Sequence, residues 1–278
     1  MLKNIFKNDL NTSNFNVVAL LAIRNEALYL EKCLTHLYEQ GISSCIIDND
    51  SSDNSLEIAQ SFINKGVIQI VSFSFDGYFD LKKQLKIKEK LASEINSNWF
   101  IHHDADEIRE SPVQFENLYQ AILKVDKSGY NAINFDEFIF IPRDEYESNE
   151  EKDYKKNMKY YFFFEPAPLR RINAWKKTNT HINLVNSGGH RVNFLDRKIY
   201  PNNFILRHYI GLSIRHLISK YSERIYSKVE VGEYKWHGWR ADFSANRFSL
   251  PSLEHLKFYS GKRNFDKSNP CKKHLFIN

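Results

Sequence analysis

The sequence predicts an α/β fold whose central sheet is mostly parallel and flanked by helices. Apolar runs of strand length alternate with helical patterns through the first half of the chain. The first run, residues 16–23, is almost continuously apolar, which is typical of a strand buried on both faces. Polar side chains also follow the ends of several predicted strands, where ligands bind in open α/β sheets.

The first predicted strand leads into a helix that begins at Asn25, carries leucines at helical spacing and ends at Gly41. Cys45–Ile47 is predicted to form a short second strand, because this apolar run is followed by a strongly polar turn. That turn, residues 48–53, is rich in Asp, Asn and Ser. Because these residues cap helices, a second helix is expected to follow.

Val67–Phe73 is predicted to be the third strand from its β-branched and apolar residues. Asp80 begins a basic helix with leucines on one face. Trp99–His103, a short apolar and aromatic run, predicts a buried fourth strand, and Ser111-Pro112 predicts the start of another helix. This order predicts parallel strands joined by right-handed crossovers.

The pattern loosens after about residue 130. Residues 132–141 predict a strand, and residues 144–159 are charged and aperiodic, which indicates an exposed loop. Ser213 is placed to cap a later helix, and the tail from Gly261 is basic and irregular. No clean linker divides the chain, so we expect one continuous domain.

Composition limits the kinds of partner. The net charge of +5 is too diffuse to indicate nucleic acid, but it suits anionic substrates or an anionic membrane surface. The three cysteines lack metal-binding spacing and indicate a reducing compartment. The first residues show no signal-peptide pattern, and no segment is long enough to span a bilayer. We therefore expect a cytoplasmic protein that does not bind nucleic acid.

The most informative motif is Asp104-Ala105-Asp106, which directly follows the fourth predicted strand. Two carboxylates separated by one residue at a strand end can converge on one hard cation. Mg²⁺ and Mn²⁺ favour carboxylate oxygens and usually share them with substrate phosphates. A solvated acidic turn is the alternative interpretation of this motif.

Polar residues also close the first two predicted strands. Residues 24–26 follow the first strand, and Asp48 and Asn49 follow the second. Because the carboxyl ends of parallel strands share one edge of the sheet, we expect these residues to lie beside Asp104 and Asp106. This convergence predicts a ligand site at that edge.

Together these residues resemble the nucleotide-binding half of a family 2 glycosyltransferase with the GT-A fold. The matching blocks are Ala22–Glu26, Ile47–Asp53 and His103–Glu107, in the order of the family and at approximately its spacing. The resemblance covers roughly residues 16–110. It implies a Rossmann-like, mostly parallel central sheet flanked by helices.

The resemblance also implies how the two halves divide their work. Residues 1–130 would form the nucleotide-sugar-binding half, and residues 131–278 the acceptor-binding half with a helical and irregular C-terminal region. Gly188–Arg191 and His208-Tyr209 in the second half are similar to bacterial members that modify surface polysaccharides.

The resemblance assigns the nucleotide and metal contacts residue by residue. Asp48 would bind the base or the ribose, and Asn49 belongs to the same nucleotide-binding turn. Asp104 would reach the ribose or a metal-bound water. Asp106 would ligate the Mn²⁺ or Mg²⁺ that bridges the diphosphate.

Further residues are candidates for holding the donor. Asn25 and Glu26 either contact the nucleotide or fix the loop after the first strand through backbone hydrogen bonds, and both interpretations stay open. Negative charge builds on the leaving diphosphate, so nearby cations are expected to stabilise it. Lys83 near the start of the basic helix and Lys220 in the C-terminal helix are candidates for these cations.

Two histidines are candidate metal ligands. Many GT-A enzymes have a late histidine ligand, and His208 lies at a suitable place for it. His190, on its glycine-rich turn, is the competing candidate. For either residue the alternative is an imidazole that is hydrogen-bonded in the core.

An inverting transferase also needs a base that takes the proton of the acceptor hydroxyl. Glu137 is the favoured candidate, with Asp136 beside it, and one of the two should face the cleft because side chains alternate along a strand. Asp196 is a third candidate, since its distance from Asp106 is more typical of the family.

The sequence therefore predicts a metal-dependent inverting glycosyltransferase. It would move a sugar from a nucleotide-sugar donor, first of all a UDP-sugar, to a surface-glycan acceptor such as a lipopolysaccharide or capsule precursor. A lipid-linked acceptor would hold the protein peripherally at the inner face of the cell membrane. One alternative is a sugar nucleotidyltransferase, which calls for a glycine-rich phosphate loop that Arg24–Ala27 lacks. The other is a non-catalytic carbohydrate-binding protein on a degenerate transferase fold, which the intact Asp104 and Asp106 argue against.

Overall fold

The structure is a computed structural model that describes residues 2–7, 15–151, 153–241, 243 and 248–276. Within these residues the strands form one 11-stranded sheet. The strands are β1 (Lys3–Lys7), β2 (Val17–Ile23), β3 (Ser43–Asp48), β4 (Val67–Ser72), β5 (Trp99–His103), β6 (Glu107–Glu110), β7 (Ala132–Phe140), β8 (Tyr160–Phe164), β9 (Ile172–Lys176), β10 (Phe204–Tyr209) and β11 (Lys257–Phe258).

Seven α-helices accompany the sheet in the described part of the chain. They are α1 (Ala27–Glu39), α2 (Ser55–Ser61), α3 (Leu81–Glu94), α4 (Leu118–Lys127), α5 (Tyr154–Asn157), α6 (Ile214–Ser222) and α7 (Lys228–Gly232). None of them is both long and apolar enough to cross a membrane.

The sheet is of the predicted mixed, mostly parallel type. Its main order is β1-β4-β3-β2-β5-β9-β7-β10-β6, and β8 lies beside the second half of β7. The parallel pairs are β4 with β3, β3 with β2, β2 with β5, and β7 with β10. Strand β9 is antiparallel to both β5 and β7, so it joins the two parallel groups and keeps their strands in one direction.

Helices cover both faces of the central strands, as alternating side chains of β2 show. Val17, Ala19 and Leu21 belong to one buried cluster together with α1, α2 and α4. Val18 and Leu20 belong to a second cluster, which α3 closes on the opposite face. The near-continuous apolar run predicted for a strand buried on both faces is thereby confirmed.

Strand register places the predicted site residues at one edge. Ile23 is level with Asp48 in the β2–β3 pair, and Leu21 is level with His103 in the β2–β5 pair. The loops after β2, β3 and β5 therefore leave the sheet side by side. This confirms the expected convergence of three strand ends that are far apart in sequence.

Two local predictions were wrong. The helix expected at Ser111-Pro112 begins instead at Leu118, where the Asn117 side chain accepts a hydrogen bond from the backbone N–H of Gln120. Short strand β6 occupies the chain just before Ser111 and was not foreseen. The segment 144–159, expected to be an exposed loop, contains α5. Its Tyr154 and Met158 are fully buried, so this segment contributes to the core.

A glycine-rich turn before β10 depends on close packing. Gly189 has φ +81°, and a Cβ atom there would lie 3.1 Å from the ring of His102 and from Leu85. Gly129 has nearly the same φ, +80°, but a Cβ there would meet no atom within 4 Å. Positive φ would strain any other residue at both positions, but only at Gly189 would an added side chain also meet packed atoms.

Replacing Gly189 by alanine is expected to lower the free energy of unfolding more than Gly129→Ala does. Both variants place a side chain at positive φ, but only Gly189→Ala also overpacks the interior, which costs about 1–3 kcal/mol. Urea denaturation of both variants measures the difference. Equal destabilisation by the two substitutions would contradict the packing at this turn.

Candidate active site

The loops after β2 and β3 hold each other through side-chain to backbone hydrogen bonds. Arg24 Nη1 donates to the carbonyl of Asn49 at 2.7 Å and to that of Asp50 at 2.5 Å. Asn25 has φ 55°, and its Oδ1 accepts from the backbone N–H of Ser52 at 2.8 Å. Of the two interpretations of Asn25, the structure supports the loop-fixing one.

The turn after β3 places Asp48 and Asn49 differently. Asp48 is buried, and its two carboxylate oxygens lie 3.2 and 3.4 Å from the backbone N–H of Ser51. Asn49 is also buried, and its side chain donates to the carbonyl of Phe73 at 3.3 Å. Asn49 thus ties β3 to the end of β4, which is a structural contact, while Asp48 stays at the edge predicted for the nucleoside.

Asp104 is the more accessible carboxylate of the motif, with a side chain that is 48% exposed. Its Oδ1 lies 3.6 Å from Nζ of Lys88, a lysine of α3 whose side chain is almost fully buried. Lys88 Nζ also donates to the carbonyl of His103 at 3.0 Å. The lysine therefore fixes the strand end that carries Asp104, and the exposed side of Asp104 faces outward for a ligand.

Asp106 lies at the centre of a buried network. Its Oδ2 accepts a hydrogen bond from Nζ of Lys220 at 2.8 Å and lies 3.4 Å from Nε2 of His208. Lys220 Nζ is also 3.9 Å from Oε2 of Glu26, the residue before α1. Within the described residues the Asp106 carboxylate makes these contacts through Oδ2 alone, which leaves Oδ1 for another ligand.

His208 continues the network to Glu137. Its Nδ1 donates to Oε1 of Glu137 at 2.8 Å, and Arg171 donates to both oxygens of the same carboxylate, at 2.5 and 2.7 Å. Strand β10 lies between β6 and β7, with His208 level with Glu107 of β6. This strand order brings His208 between Asp106 and Glu137.

Charge pairing shifts the pKa values of this network. Burial disfavours the imidazolium of His208, but the carboxylates of Asp106 and Glu137 outweigh it and raise its pKa to about 10. Burial also disfavours the Glu137 carboxylate, yet Arg171 and His208 hold the pKa of Glu137 well below its usual range. Glu137 is therefore ionised and has its oxygens occupied, so it is a poor proton acceptor.

The residues predicted to act as a base must be reassigned. Glu137 faces the site as expected, but its contacts make it a residue that positions His208 and Arg171. Asp136 points to the other face of β7 and binds Asn203 and Lys267 at 2.7 and 2.5 Å. Its assignment as a base was wrong, because the sheet separates it from Asp106.

Asp196 also lies outside the site. It is an exposed residue with φ 57°, and its carbonyl accepts from the side chain of Asn131, the residue just before β7. It therefore lies near the start of β7, at the end of the sheet opposite Asp106. Its family-like distance in sequence did not place it in the site.

Two further residues predicted to bind ligands have partners within the protein. His190 does not approach Asp106; its ring nitrogens lie 3.1 Å from Arg170 and 3.2 Å from Arg171. Lys83 is partly exposed and pairs with Asp76 at 2.7 Å. The two guanidinium contacts of His190 contradict its assignment as a metal ligand. The assignment of Lys83 to the diphosphate stays a prediction. His208 and Lys220 both reach Asp106.

Several charged residues of the site were missed in the sequence. Glu107 pairs with Arg109 at 2.6 Å, and both side chains are buried. Lys88 and Arg171 are the other cations that were missed. The available signal was weak: Lys88 lies one turn after Leu85 and Arg171 adjoins an apolar strand. A charge on an apolar face indicates a buried ion pair but does not identify its partner.

The protein side chains alone do not complete the coordination of a metal ion. Within the described residues, no group of three or more His, Cys, Asp or Glu side chains is arranged to hold an ion. Asp106 and His208 are the nearest approach to such a group, and Lys220 lies against the same carboxylate. A divalent cation would therefore need oxygens of a bound substrate to complete its coordination.

Comparisons with known proteins were made by sequence and by structure. The sequence model of the family described as glycosyl transferase family 2 matches residues 19–186, which is more than half of the chain. This range contains every strand end discussed above except that of β10. A search of curated proteins finds no match.

Among solved structures the chain is similar in part to S. aureus TarS. For TarS 1–349 the identity is 9%, the match covers 70% of this chain and 60% of that chain, and the TM-score is 0.44. For TarS 1–349 in complex with UDP the values are 9%, 84%, 73% and 0.45. The chain spans 45% of the length of the longer S. aureus TarS structure, with a TM-score of 0.44 and 10% identity.

Glu137→Gln is expected to destabilise the protein by about 3–5 kcal/mol, because it leaves the buried charge of Arg171 without its carboxylate. Chemical denaturation of the variant measures this loss. The matched control is Asp144→Asn, which breaks the exposed pair of Arg143 and Asp144 and should leave stability nearly unchanged. Similar stabilities for the two variants would show that the Glu137 network does not hold the site together.

Proposed function

The chain belongs to glycosyl transferase family 2, and on that premise we propose that it is a glycosyltransferase that moves a sugar from a nucleotide-sugar donor to a glycan or lipid-linked glycan acceptor. The observed α/β architecture agrees with the GT-A fold that the resemblance implies. The observation that carries the proposal is the buried network of Asp106, Lys220, His208 and Glu137 at the carboxyl edge of the sheet.

The donor is proposed to lie across this edge, with a UDP-sugar as the first candidate. Asp48 at the end of β3 would bind the base or ribose. Its buried carboxylate has, among the described residues, only the Ser51 backbone N–H as a hydrogen-bond donor, at 3.2 and 3.4 Å. Asp104, with its exposed side, would reach the ribose or a metal-bound water. The diphosphate would then lie at Asp106, beyond the end of β5.

The residues around Asp106 fit a Mn²⁺ or Mg²⁺ that shares its coordination with the diphosphate. Asp106 offers Oδ1, and His208 directs Nε2 toward the same carboxylate while Nδ1 is held by Glu137. Because a metal ligand must be a neutral imidazole, the His208 imidazolium would lose its Nε2 proton when a cation binds here. A carboxylate that fixes the far nitrogen is the usual second contact of a metal-binding histidine. When bound, the cation would neutralise the charge that develops on the leaving diphosphate.

Lys220 supplies positive charge to the same place. In the observed arrangement its ammonium neutralises Asp106 and lies near Glu26. Burial lowers the pKa of Lys220, but the two carboxylates outweigh it and raise the pKa above its usual value, so the charge is permanent. A diphosphate bound at Asp106 would give this ammonium a second anionic partner and would be stabilised by it during bond cleavage.

Transfer is proposed to invert the anomeric centre, with the acceptor held by the second half of the chain. In this arrangement Glu137 positions His208 and Arg171, so its substitution would disturb the donor site as well as turnover. A surface-glycan precursor, such as one for lipopolysaccharide or capsule, is the proposed acceptor class. A lipid-linked precursor would bring the protein to the inner face of the membrane as a peripheral protein.

Binding of UDP to the whole chain, measured by calorimetry with and without Mn²⁺, tests the donor site. Mn²⁺ is expected to tighten UDP binding by about ten-fold or more, equivalent to about 1.4 kcal/mol. Asp106→Asn should abolish this gain, because it removes the carboxylate that faces the diphosphate. Asp196→Asn is the matched control and should behave as the wild type. Equal affinities with and without Mn²⁺ in the wild type would contradict the metal role.

Asp48→Asn separates the nucleoside contact from the diphosphate contact. It is expected to weaken UDP binding by about 1–3 kcal/mol, to the same extent with and without Mn²⁺, because it removes a charged acceptor from the nucleoside. The same titrations measure this. A variant that binds UDP normally, or that loses only the gain from Mn²⁺, would remove Asp48 from the nucleoside site.

A further inference from the structure

Four acidic side chains around the end of β5 each have a close cation. The pairs and their shortest distances are Asp104 with Lys88 at 3.6 Å, Asp106 with Lys220 at 2.8 Å, Glu107 with Arg109 at 2.6 Å, and Glu137 with Arg171 at 2.5 Å. Arg170 adds one more guanidinium. Its ion-pair contact within the described residues is with Glu137, at 3.9 Å, and that carboxylate already binds Arg171 and His208.

The contacts of His190 show that this corner has more hydrogen-bond donors than acceptors. Arg170 Nη2 lies 3.1 Å from Nε2 of His190, and Arg171 Nη1 lies 3.2 Å from Nδ1. A guanidinium only donates, and a neutral imidazole accepts at one nitrogen and donates at the other. One of the two guanidinium contacts therefore meets a ring N–H, so that guanidinium needs another acceptor.

The charge around Arg170 makes an anion the fitting acceptor. Burial, together with Arg171 and Arg170, holds the pKa of His190 well below its usual range, so the ring stays neutral and does not add charge. Arg191 and Arg240 contribute further positive potential at Arg170. Carboxylates and phosphates are the groups that pair with a planar guanidinium through two parallel hydrogen bonds.

Arg170 is also held in place and accessible. Its guanidinium carbon lies 5.4 Å from the ring centroid of Phe164 at the end of β8, and its side chain is 27% exposed. It comes just before β9, which pairs with β5 on the side away from β2 and β3. Asp48 and Arg24, which mark the proposed nucleoside site, follow β3 and β2. Arg170 therefore lies on the opposite side of Asp104 from the nucleoside.

We propose that Arg170, supported by Arg171, binds an anionic group of the acceptor, a carboxylate or a phosphate on the sugar that receives the transferred residue. This inference rests on the proposed glycosyl transfer and specifies the acceptor as an acidic or phosphorylated glycan. The anionic group could instead belong to an acidic sugar of the donor. Replacing Arg170 distinguishes the two cases, because the acceptor loses affinity in the first and the donor in the second.

The test measures how tightly two free sugars, glucuronate and glucose, bind the whole chain when it is saturated with UDP and Mn²⁺. Each sugar is titrated separately, and its binding is monitored by ligand-observed NMR. The two sugars differ in a carboxylate that replaces a hydroxymethyl group. Glucuronate is expected to bind about ten-fold more tightly than glucose, and Arg170→Gln should remove the difference. Arg215→Gln, which removes an exposed arginine of α6, is the matched control and should keep it.

Arg170→Lys and a donor titration complete the test. The lysine variant keeps the charge without the planar fork, so it should retain part of the preference for glucuronate even if Arg170→Gln folds poorly. UDP-glucuronate and UDP-glucose should each bind the wild type and Arg170→Gln equally well. A selective loss of UDP-glucuronate binding by Arg170→Gln would place the anionic group on the donor and overturn the acceptor assignment. Equal binding of glucuronate and glucose by the wild type would also overturn the acceptor assignment.

The two proposals fail in different ways. Absence of UDP binding would overturn the donor site, whereas the glucuronate and glucose titrations can be repeated without UDP and report on Arg170 by themselves. An Arg170-dependent preference for glucuronate in that repeat would support an anion site even then. Loss of the preference with normal UDP binding would leave the proposed function intact and overturn the anion site.

Discussion

Three buried carboxylates at one edge of the sheet, Asp106, Glu107 and Glu137, each require a cation, and the rest of the site follows from this requirement. A charge buried at such depth carries a large desolvation cost, which a paired cation offsets. The cations come from distant parts of the chain, Lys220 from α6 and Arg171 from the residue before β9. The second half of the chain must therefore fold against the first to complete the site.

The pairing of these charges makes the electrostatic character of the sheet edge change from β3 toward β9. Toward β3 and β2 the loops interact mainly through backbone carbonyls and side-chain hydroxyls and amides, which suit a nucleoside and keep the turn rigid. At Asp106 the charges are balanced, with His208 held between two carboxylates. Toward β9 the balance turns positive at Arg170 and Arg171. The nucleoside of the donor and the anionic group of the acceptor can therefore bind at different places along one edge, without either substrate crossing the sheet.

The sequence predicted the first half well because its information is local. The apolar runs define β2 to β5, and the carboxyl ends of parallel strands must share an edge, which brings Asp48 and Asp104 together. The second half was harder to predict, since each site residue depends on a tertiary contact. Asp136 and Glu137 lie on different faces of β7 but have the same chemistry, so the sequence does not distinguish them. Arg171 is recognisable as the partner of Glu137 only when β9 lies beside β7. Lys88 depends on the rotation of α3 over the sheet, which a lysine-rich helix does not reveal.

The measurement that tests the account most directly is a crystal structure of the chain with UDP and Mn²⁺. The account predicts the diphosphate and the metal at Asp106, with His208 Nε2 as a ligand and Glu137 still bound to its Nδ1. It also predicts the uridine beside Asp48 and the Lys220 ammonium in contact with a phosphate oxygen. A diphosphate bound away from Asp106, with the contacts of Lys220 and His208 unchanged, would contradict it.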